Sequence, residues 1–308
     1  SQLANNLAVM DEFDEANSWC KRALEAGEKS GNYEAVSNAL LIKGTNLIDT
    51  GRVDEGLPLL ERGLEIAQQH DQPFLQLFQA LVNLTAYTFP RDLSKAREFA
   101  SRLLALAKSE NVPLLQAGSQ VLLSRLDWLN GNWTLALEEI VEAFELQERV
   151  GFKFAYGGAS HPEACRGLVH LGFGDLEQAE KYLQAAAFKQ YEKITPTVEA
   201  HLRFAELRLE QGREEEAKAH FEICVNTFKD HEFTTLPLLH IETLLHLTSV
   251  YAGRGQLEEA HRMSEWAKRL AETLRSDAGL AMASQAEASL LLASDDRKGA
   301  EEAYLKAL

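Results

Sequence analysis

The sequence predicts an all-α protein, a solenoid of antiparallel helix pairs with about seven full repeats and partial repeats at both ends. Two observations support this prediction. A short turn motif followed by a small residue recurs eight times along the 308 residues, at intervals close to 40. Small residues also recur at two positions linked to that motif. A regular period of this length is typical of stacked repeats, in which each repeat packs only on its neighbours.

The repeat is clearest between Cys165 and Phe188, where the sequence predicts a helix ending at Gly174, a short turn and a second helix. We take Ala179, five residues after Gly174, as the register mark of this hairpin. Consecutive marks lie 40, 40, 40, 43, 38, 43 and 40 residues apart. The eight marks are Ala16, Gly56, Ala96, Ala136, Ala179, Ala217, Ala260 and Ala300.

The residues of the motif suit two helices joined by a tight turn. Glycine in the first turn position adopts the left-handed conformation that ends a helix, and acidic residues then stabilise the start of the next helix. Every mark is Ala or Gly, so two helix backbones are predicted to approach closely there, where a larger side chain would cost about 1–3 kcal/mol.

Two further positions repeat in step with the mark, and most of their residues are small. Seven residues after the mark stand Ala23, Gly63, Leu103, Ala143, Ala186, Cys224, Ala267 and Ala307. Twelve residues before it stand Ala4, Gly44, Leu84, Ser124, Gly167, Ala205, Thr248 and Ala288. These positions predict the faces on which the two helices of a hairpin meet.

The hairpins follow one another along a single predicted domain, 1–308. Their ranges are 1–30 (partial), 31–70, 71–110, 111–150, 151–193, 194–231, 232–275 and 276–308 (partial). Pro90 replaces the usual glycine turn in the third hairpin, and Pro237 with a preceding threonine predicts the helix start of the seventh.

The fifth hairpin is irregular. Between Val150 and Glu163 the chain reads GFKFAYGGASHP. Its first helix either starts late, at Pro162, or starts near Phe154 and kinks before that proline. This segment is predicted to be a hinge or bulge, or alternatively an element that brings Tyr156 and His161 to a ligand.

The small residue in the first helix, the glycine at its end and the alanine in the second helix resemble the tetratricopeptide repeat (TPR) family over essentially the whole chain. The period near 40 exceeds that family's commonest length of 34. It is similar to the longer repeats of MalT-like bacterial regulators, in which they form the sensor arm of a signalling ATPase. This resemblance implies a right-handed superhelix whose first helices line a concave groove.

The resemblance also implies which residues face the groove, namely those about eleven and eight before each mark, with some one position further on. The candidates are Thr45, Asp49, Thr85, Thr88, Phe89, Arg125, Trp128, Glu206, Glu210 and Ser249. A more specific hypothesis places a site around Arg125, Trp128, Tyr156 and His161, where a cation and aromatic rings meet the irregular hairpin. Tryptophan and arginine are enriched among binding hot spots.

The composition limits the possible partners. Forty-seven acidic and 31 basic residues give a net charge of −16, which argues against direct binding of nucleic acid or of an anionic membrane. No apolar run is long enough to predict a membrane span. Three cysteines predict buried thiols rather than a disulfide framework, which fits a cytoplasmic protein.

No catalytic, metal or cofactor motif is found. The sequence contains no G-x-x-x-x-G-K-[ST] loop, no G-x-S-x-G elbow and no C-x-x-C or H-E-x-x-H pair. His161 and Cys165 have a ligand-compatible spacing, but two donors do not make a zinc site. We therefore predict a non-enzyme without catalytic residues, metal ligands or cofactors.

The predicted function is a non-catalytic binding or scaffold module. In the leading hypothesis it is the ligand-sensing or partner-docking arm of a larger cytoplasmic, bacterial-type signalling or transcription regulator, and it binds a peptide, a protein or a small effector in the groove. The alternative is a stand-alone peptide- or protein-binding adaptor or scaffold subunit. Neither end shows a polar capping repeat, so the sequence is expected to be a fragment of a longer chain.

Overall fold

The structure, a computed structural model, describes residues 13–49, 52–89, 91–151, 162–188, 194–230, 237–274 and 277–307. All regular secondary structure in these ranges is α-helix, which confirms the predicted all-α class. The helices described are α1 (Phe13–Ser30), α2 (Tyr33–Asp49), α3 (Val53–Gln69), α4 (Phe74–Thr88), α5 (Leu93–Ser109), α6 (Pro113–Leu129), α7 (Trp133–Val150), α8 (Pro162–Gly172), α9 (Leu176–Ala187), α10 (Ile194–Glu210), α11 (Glu214–Asp230), α12 (Pro237–Gly253), α13 (Leu257–Leu274), α14 (Asp277–Ala293) and α15 (Arg297–Lys306).

The chain forms two compact units, Ser1–Ser119 and Gln120–Leu308, and the boundary falls within α6. The even-numbered helices are the first helices of the hairpins, and the odd-numbered ones are the second helices. The number and limits of the repeats, and the single domain 1–308, remain predictions.

In the N-terminal unit α1 to α5 pack in chain order, and the first helix α2 also packs on the first helix α4. The C-terminal unit repeats this pattern. Each first helix contacts the second helix that follows it, and the first helices α8, α10, α12 and α14 contact one another in succession. Within each unit successive first helices therefore lie side by side, and each of them packs on the second helix that follows it.

The small register marks lie where the prediction puts them. The alanine marks are at most 1% exposed, and the remaining mark, Gly56, is also buried. A Cβ atom added to Gly56 would lie 2.5 Å from the carbonyl oxygen of Gly44, at the linked position of the facing helix. The period of small residues thus reflects close packing of helix backbones.

The turns confirm the role assigned to their first residue. Gly131, Gly174, Gly212 and Gly255 have φ values between 70° and 77°, and Asp295 takes the same left-handed conformation, with φ at 61°. In the third hairpin, whose turn contains Pro90, Asp92 caps α5 by accepting a hydrogen bond from the Lys95 N–H at 2.8 Å. Asp175 and Asp296 cap α9 and α15 in the same way.

The prolines mark helix starts. Pro162 and Pro237 are the first residues of α8 and α12, where the missing N–H of proline removes no helical hydrogen bond. Residues 152–161 of the fifth hairpin lie outside the described ranges. Whether this segment is a hinge or a binding element therefore remains a prediction.

All three cysteines are free and buried, as predicted. Burial raises the pKa of Cys20 to about 11 and that of Cys165 to about 12, so these thiols stay protonated near neutral pH. None of the described helices is long and apolar enough to cross a bilayer.

Candidate functional site

Ionisable side chains recur at equivalent positions in the first helices of the sixth and seventh hairpins. Glu199 and Glu242 each stand eighteen residues before their marks, and Arg203 and His246 each stand fourteen residues before them. Most side chains of α10 from position 198 onward are buried, because α8, α9, α11 and α12 all pack against this helix. A charge in such a position is costly unless it is paired and hydrogen-bonded.

Arg203 is the centre of an ion-pair network that joins α10 to α12. Its Nη1 and Nη2 atoms donate to the two carboxylate oxygens of Glu242 at 2.7 Å, and Nη1 also donates to Oε1 of Glu206 at 2.6 Å. Nε2 of His246 lies 3.1 Å from the same Glu206 oxygen. The side chain of Arg203 is 3% exposed, that of Glu242 17% and that of His246 27%, so the network has a buried centre and an accessible rim.

The network holds Arg203 and Glu206 in the charged form. Burial alone would lower the pKa of Arg203, but the charges of Glu206 and Glu242 outweigh it and raise that pKa well above its usual value. Burial would likewise raise the pKa of Glu206, but the Arg203 charge and the contact with His246 lower it to about 2. Both residues are therefore ionised at neutral pH.

A second buried ion pair joins α6 to α10. Nη1 of Arg125 contacts Oε1 of Glu199, and the two side chains are 6% and 1% exposed. Glu199 also adds to the negative potential around Arg203. The two ion pairs therefore form one electrostatic system along α10.

Three of these residues have the donors of a divalent-cation site. The ligand atoms of Glu206, Glu242 and His246 lie within 4.8 Å of one another. However, the guanidinium group of Arg203 already binds both carboxylates. This cluster contains its own cation, so the arrangement does not favour a metal ion.

A row of polar side chains extends this cluster across neighbouring first helices. Glu210 lies one turn after Glu206 and is exposed. One turn after His246, the exposed Ser249 lies 3.2 Å, between hydroxyl oxygens, from Ser289 of α14. We call Glu206, Glu210, Glu242, His246 and Ser249 the first-helix face of the C-terminal unit.

The structure buries two of the five candidates of the N-terminal unit. Thr85 and Thr88 are 3% and 4% exposed, and the Thr85 hydroxyl donates to the Leu81 carbonyl of its own helix at 2.8 Å. Thr45 and Phe89 are partly exposed, and the Thr45 hydroxyl accepts from Nδ2 of Asn83 at 3.3 Å. The side chain of Asp49 lies outside the described part.

The candidates around the irregular hairpin are only partly described. Arg125 is 5% exposed and paired, so it lies below the surface. Trp128 is partly exposed and stacks on Trp133, with ring centroids 5.5 Å apart. Tyr156 and His161 fall outside the described residues, and a site formed by these four side chains remains a prediction.

Sequence reasoning selected Glu206, Glu210 and Ser249 but missed Arg203, Glu242 and His246. A signal for them was present in the sequence. A glutamate followed four residues later by a basic side chain occurs at 199–203 and again at 242–246, at the repeat interval of 43. The groove positions that the family resemblance implies do not include these two positions.

No protein-family model and no curated protein matches the sequence. Solved structures do match. The Rap conjugation gene regulator of plasmid pLS20, in complex with the Phr* peptide, has a TM-score of 0.70 at 13% identity, over 91% of this chain and 75% of that one. The apo quorum sensor NprR from B. thuringiensis has a TM-score of 0.64 at 14% identity, over 99% and 84%. A Rap protein complexed with Competence and Sporulation Factor has a TM-score of 0.61 at 12% identity, over 98% and 96%. The chain thus has the fold of TPR-like helical repeat proteins.

Proposed function

We propose that the protein is a non-catalytic binding module that holds an extended peptide or a segment of a protein on the first-helix face of its C-terminal unit. The observation that carries this proposal is the row of partly exposed hydrogen-bonding groups that spans three successive first helices. Glu206 of α10 pairs with His246 of α12, and Ser249 of α12 pairs with Ser289 of α14.

Such a row suits a chain-like ligand better than a compact one. Groups that lie on several helices can contact successive residues of an extended segment, whose own N–H and C=O groups need partners when they leave water. Two similar structures support this assignment by analogy of fold, since one contains the Phr* peptide and another the Competence and Sporulation Factor.

The wider role remains a choice between two settings. In the first, the module is the ligand-sensing or partner-docking arm of a larger cytoplasmic regulator of the MalT-like kind, and its ligand is a peptide, a protein or a small effector. In the second, it is a stand-alone adaptor or scaffold subunit. The sequences encoded before Ser1 and after Leu308 distinguish them, because a phosphate-loop or helix-turn-helix domain there would favour the first setting.

A pair of steric variants tests the proposed face. Peptides selected on the purified protein from a random dodecapeptide display library are titrated against Ser249→Trp and Thr273→Trp. The two wild-type residues are matched, since both are exposed and each hydroxyl donates to a carbonyl four residues earlier in its own helix. Ser249 lies on the first-helix face and Thr273 on the second helix α13.

We expect Ser249→Trp to weaken binding about ten-fold or more, which corresponds to about 1.4 kcal/mol, and Thr273→Trp to leave it within a factor of two. Far-ultraviolet circular dichroism would check that both variants keep the wild-type fold. Equal affinities of the two variants, or failure of the library to yield any binding peptide, would contradict the proposal.

A further inference from the structure

The accessible rim of the Arg203 network lies in a cluster with more carboxylates than guanidinium groups. The cluster contains three carboxylates and two guanidinium groups, namely Glu199, Glu206, Glu242, Arg125 and Arg203. Within it, Glu206 and Glu242 share the single guanidinium group of Arg203.

The hydrogen bonds of the network leave one acceptor and one donor without a partner among the described residues. Oε1 of Glu206 accepts from Arg203 and contacts His246, whereas its Oε2 atom is buried and has no hydrogen-bond partner among the described residues. Both oxygens of Glu242 depend on the same guanidinium group. The unpaired donor is Nε of Arg203, so this guanidinium group holds the two carboxylates through its Nη atoms.

Neighbouring cations of α10 and the turn after α12 are already engaged. Arg208 donates to Glu180 of α9 at 2.6 Å, and Arg254 pairs with glutamates at the start of α11, the nearer of them 2.7 Å away. Glu210, by contrast, is exposed and makes no ion pair among the described residues. The first-helix face therefore offers negative charge and hydrogen-bond acceptors to whatever lies on it.

We propose that the segment held on the first-helix face is cationic, and that one of its lysine or arginine side chains binds at the rim formed by Glu206 and Glu242, with Glu210 adding to the attraction. The inference rests on the proposed function and adds the chemistry of the ligand. An incoming ammonium or guanidinium group would bring a second cation to two carboxylates that share one guanidinium group. The partly buried rim strengthens such a contact relative to one between fully exposed groups.

The test uses the same random dodecapeptide library, selected in parallel on the wild-type protein, on Glu242→Gln and on Glu258→Gln. Glu258 is an exposed residue of the second helix α13 and provides the matched control for general acidity. We expect lysine and arginine to be enriched about two-fold or more in the wild-type and Glu258→Gln pools, and not in the Glu242→Gln pool. In the tightest peptide, exchange of its key lysine for the neutral isostere norleucine should weaken binding about ten-fold.

The outcomes separate this inference from the function on which it rests. Selected peptides that Ser249→Trp excludes but that lack basic residues would overturn the cationic ligand and leave the binding face intact. Enrichment of acidic residues would overturn it too, and so would equal loss of enrichment in Glu242→Gln and Glu258→Gln. Should Glu242→Gln fail to fold, the exposed substitution Glu210→Gln takes its place, and we expect affinity for the lysine peptide to fall by a factor of about three.

Discussion

At the scale of single residues, Arg203 has a structural role that does not depend on a ligand. It is almost fully buried and holds two carboxylates of two different hairpins. A buried ion pair adds little net stability over apolar side chains of the same size, but removing one partner leaves an unpaired charge in the interior. The residue therefore constrains which substitutions the interface of α10 and α12 tolerates.

Replacing Arg203 should accordingly be costly. We expect Arg203→Met to lower the free energy of unfolding by about 3–5 kcal/mol, because Glu206 and Glu242 would lose their shared cation. Urea unfolding followed by circular dichroism measures the change. Arg213→Met is the control, since Arg213 pairs with Glu216 at the surface, with 47% of its side chain exposed, and should cost about 1 kcal/mol or less. Similar losses in the two variants would contradict this account.

At the scale of the helix pair, stability depends on how closely two backbones approach at the register mark. Glycine is unfavourable inside a helix by roughly 0.5–1 kcal/mol relative to alanine, so a glycine retained at Gly56 requires a packing reason. The reason is the carbonyl group of Gly44, because its oxygen would lie only 2.5 Å from a Cβ atom at Gly56.

Two glycine-to-alanine variants separate packing from helix propensity. Gly56→Ala should destabilise the N-terminal unit by about 1–3 kcal/mol, because the facing backbone must move. Gly118→Ala should stabilise it by up to about 1 kcal/mol, since a Cβ atom at Gly118 in α6 meets nothing within 4 Å. Both values follow from chemical denaturation, and a stabilising effect of Gly56→Ala would refute close approach at the mark.

At the scale of the whole molecule, the fold buries several titratable histidines, and this makes its stability depend on pH. Burial, with a smaller contribution from the charge of His220, lowers the pKa of His201 to about 4, and burial lowers that of His240 to about 4 as well. The pKa of His170 and that of His220 are also lowered, chiefly by burial. All four residues lie in the C-terminal unit.

The sign of the effect follows from proton binding. An unfolded histidine has a pKa of about 6.5, so between that pH and the lower pKa of the folded state the unfolded chain binds more protons. The stabilisation is therefore complete above about pH 6.5 and is lost as the pH falls towards 4. Thermal unfolding measured between pH 8 and pH 4 should show this loss.

His201→Asn should reduce the loss of stability below pH 6.5. The slope of the free energy of unfolding against pH should fall by up to about 1.4 kcal/mol per pH unit. The Asn amide cannot titrate, and it can replace the contact of 2.8 Å between the two Nδ1 atoms of His201 and His220. His261→Asn, an exchange at an exposed residue of α13, is the control and should leave the pH dependence unchanged. If the wild type and both variants lose the same stability as the pH falls, the pair of His201 and His220 is not a cause of that loss.

The fold was largely predictable because its signal is periodic. Each mark repeats the same requirement for a small residue, so eight weak indications add up. The candidate site lacks this redundancy. Arg203 interacts with Glu242, thirty-nine residues away, and such a contact depends on how the two hairpins are stacked. Family-derived groove positions included Arg125, Thr85 and Thr88, but whether a side chain at such a position reaches solvent is decided by its neighbours in three dimensions.

The charge network also bears on how freely the hairpins can be rearranged. The ion pair between Arg203 and Glu242 joins the sixth hairpin to the seventh. In a shuffled protein with these two hairpins in reverse order, Arg203 would no longer be followed by a hairpin that supplies this acid. Hairpins of nearly equal length are therefore not interchangeable building blocks, and a chimera that respects the period but ignores this pairing should assemble poorly.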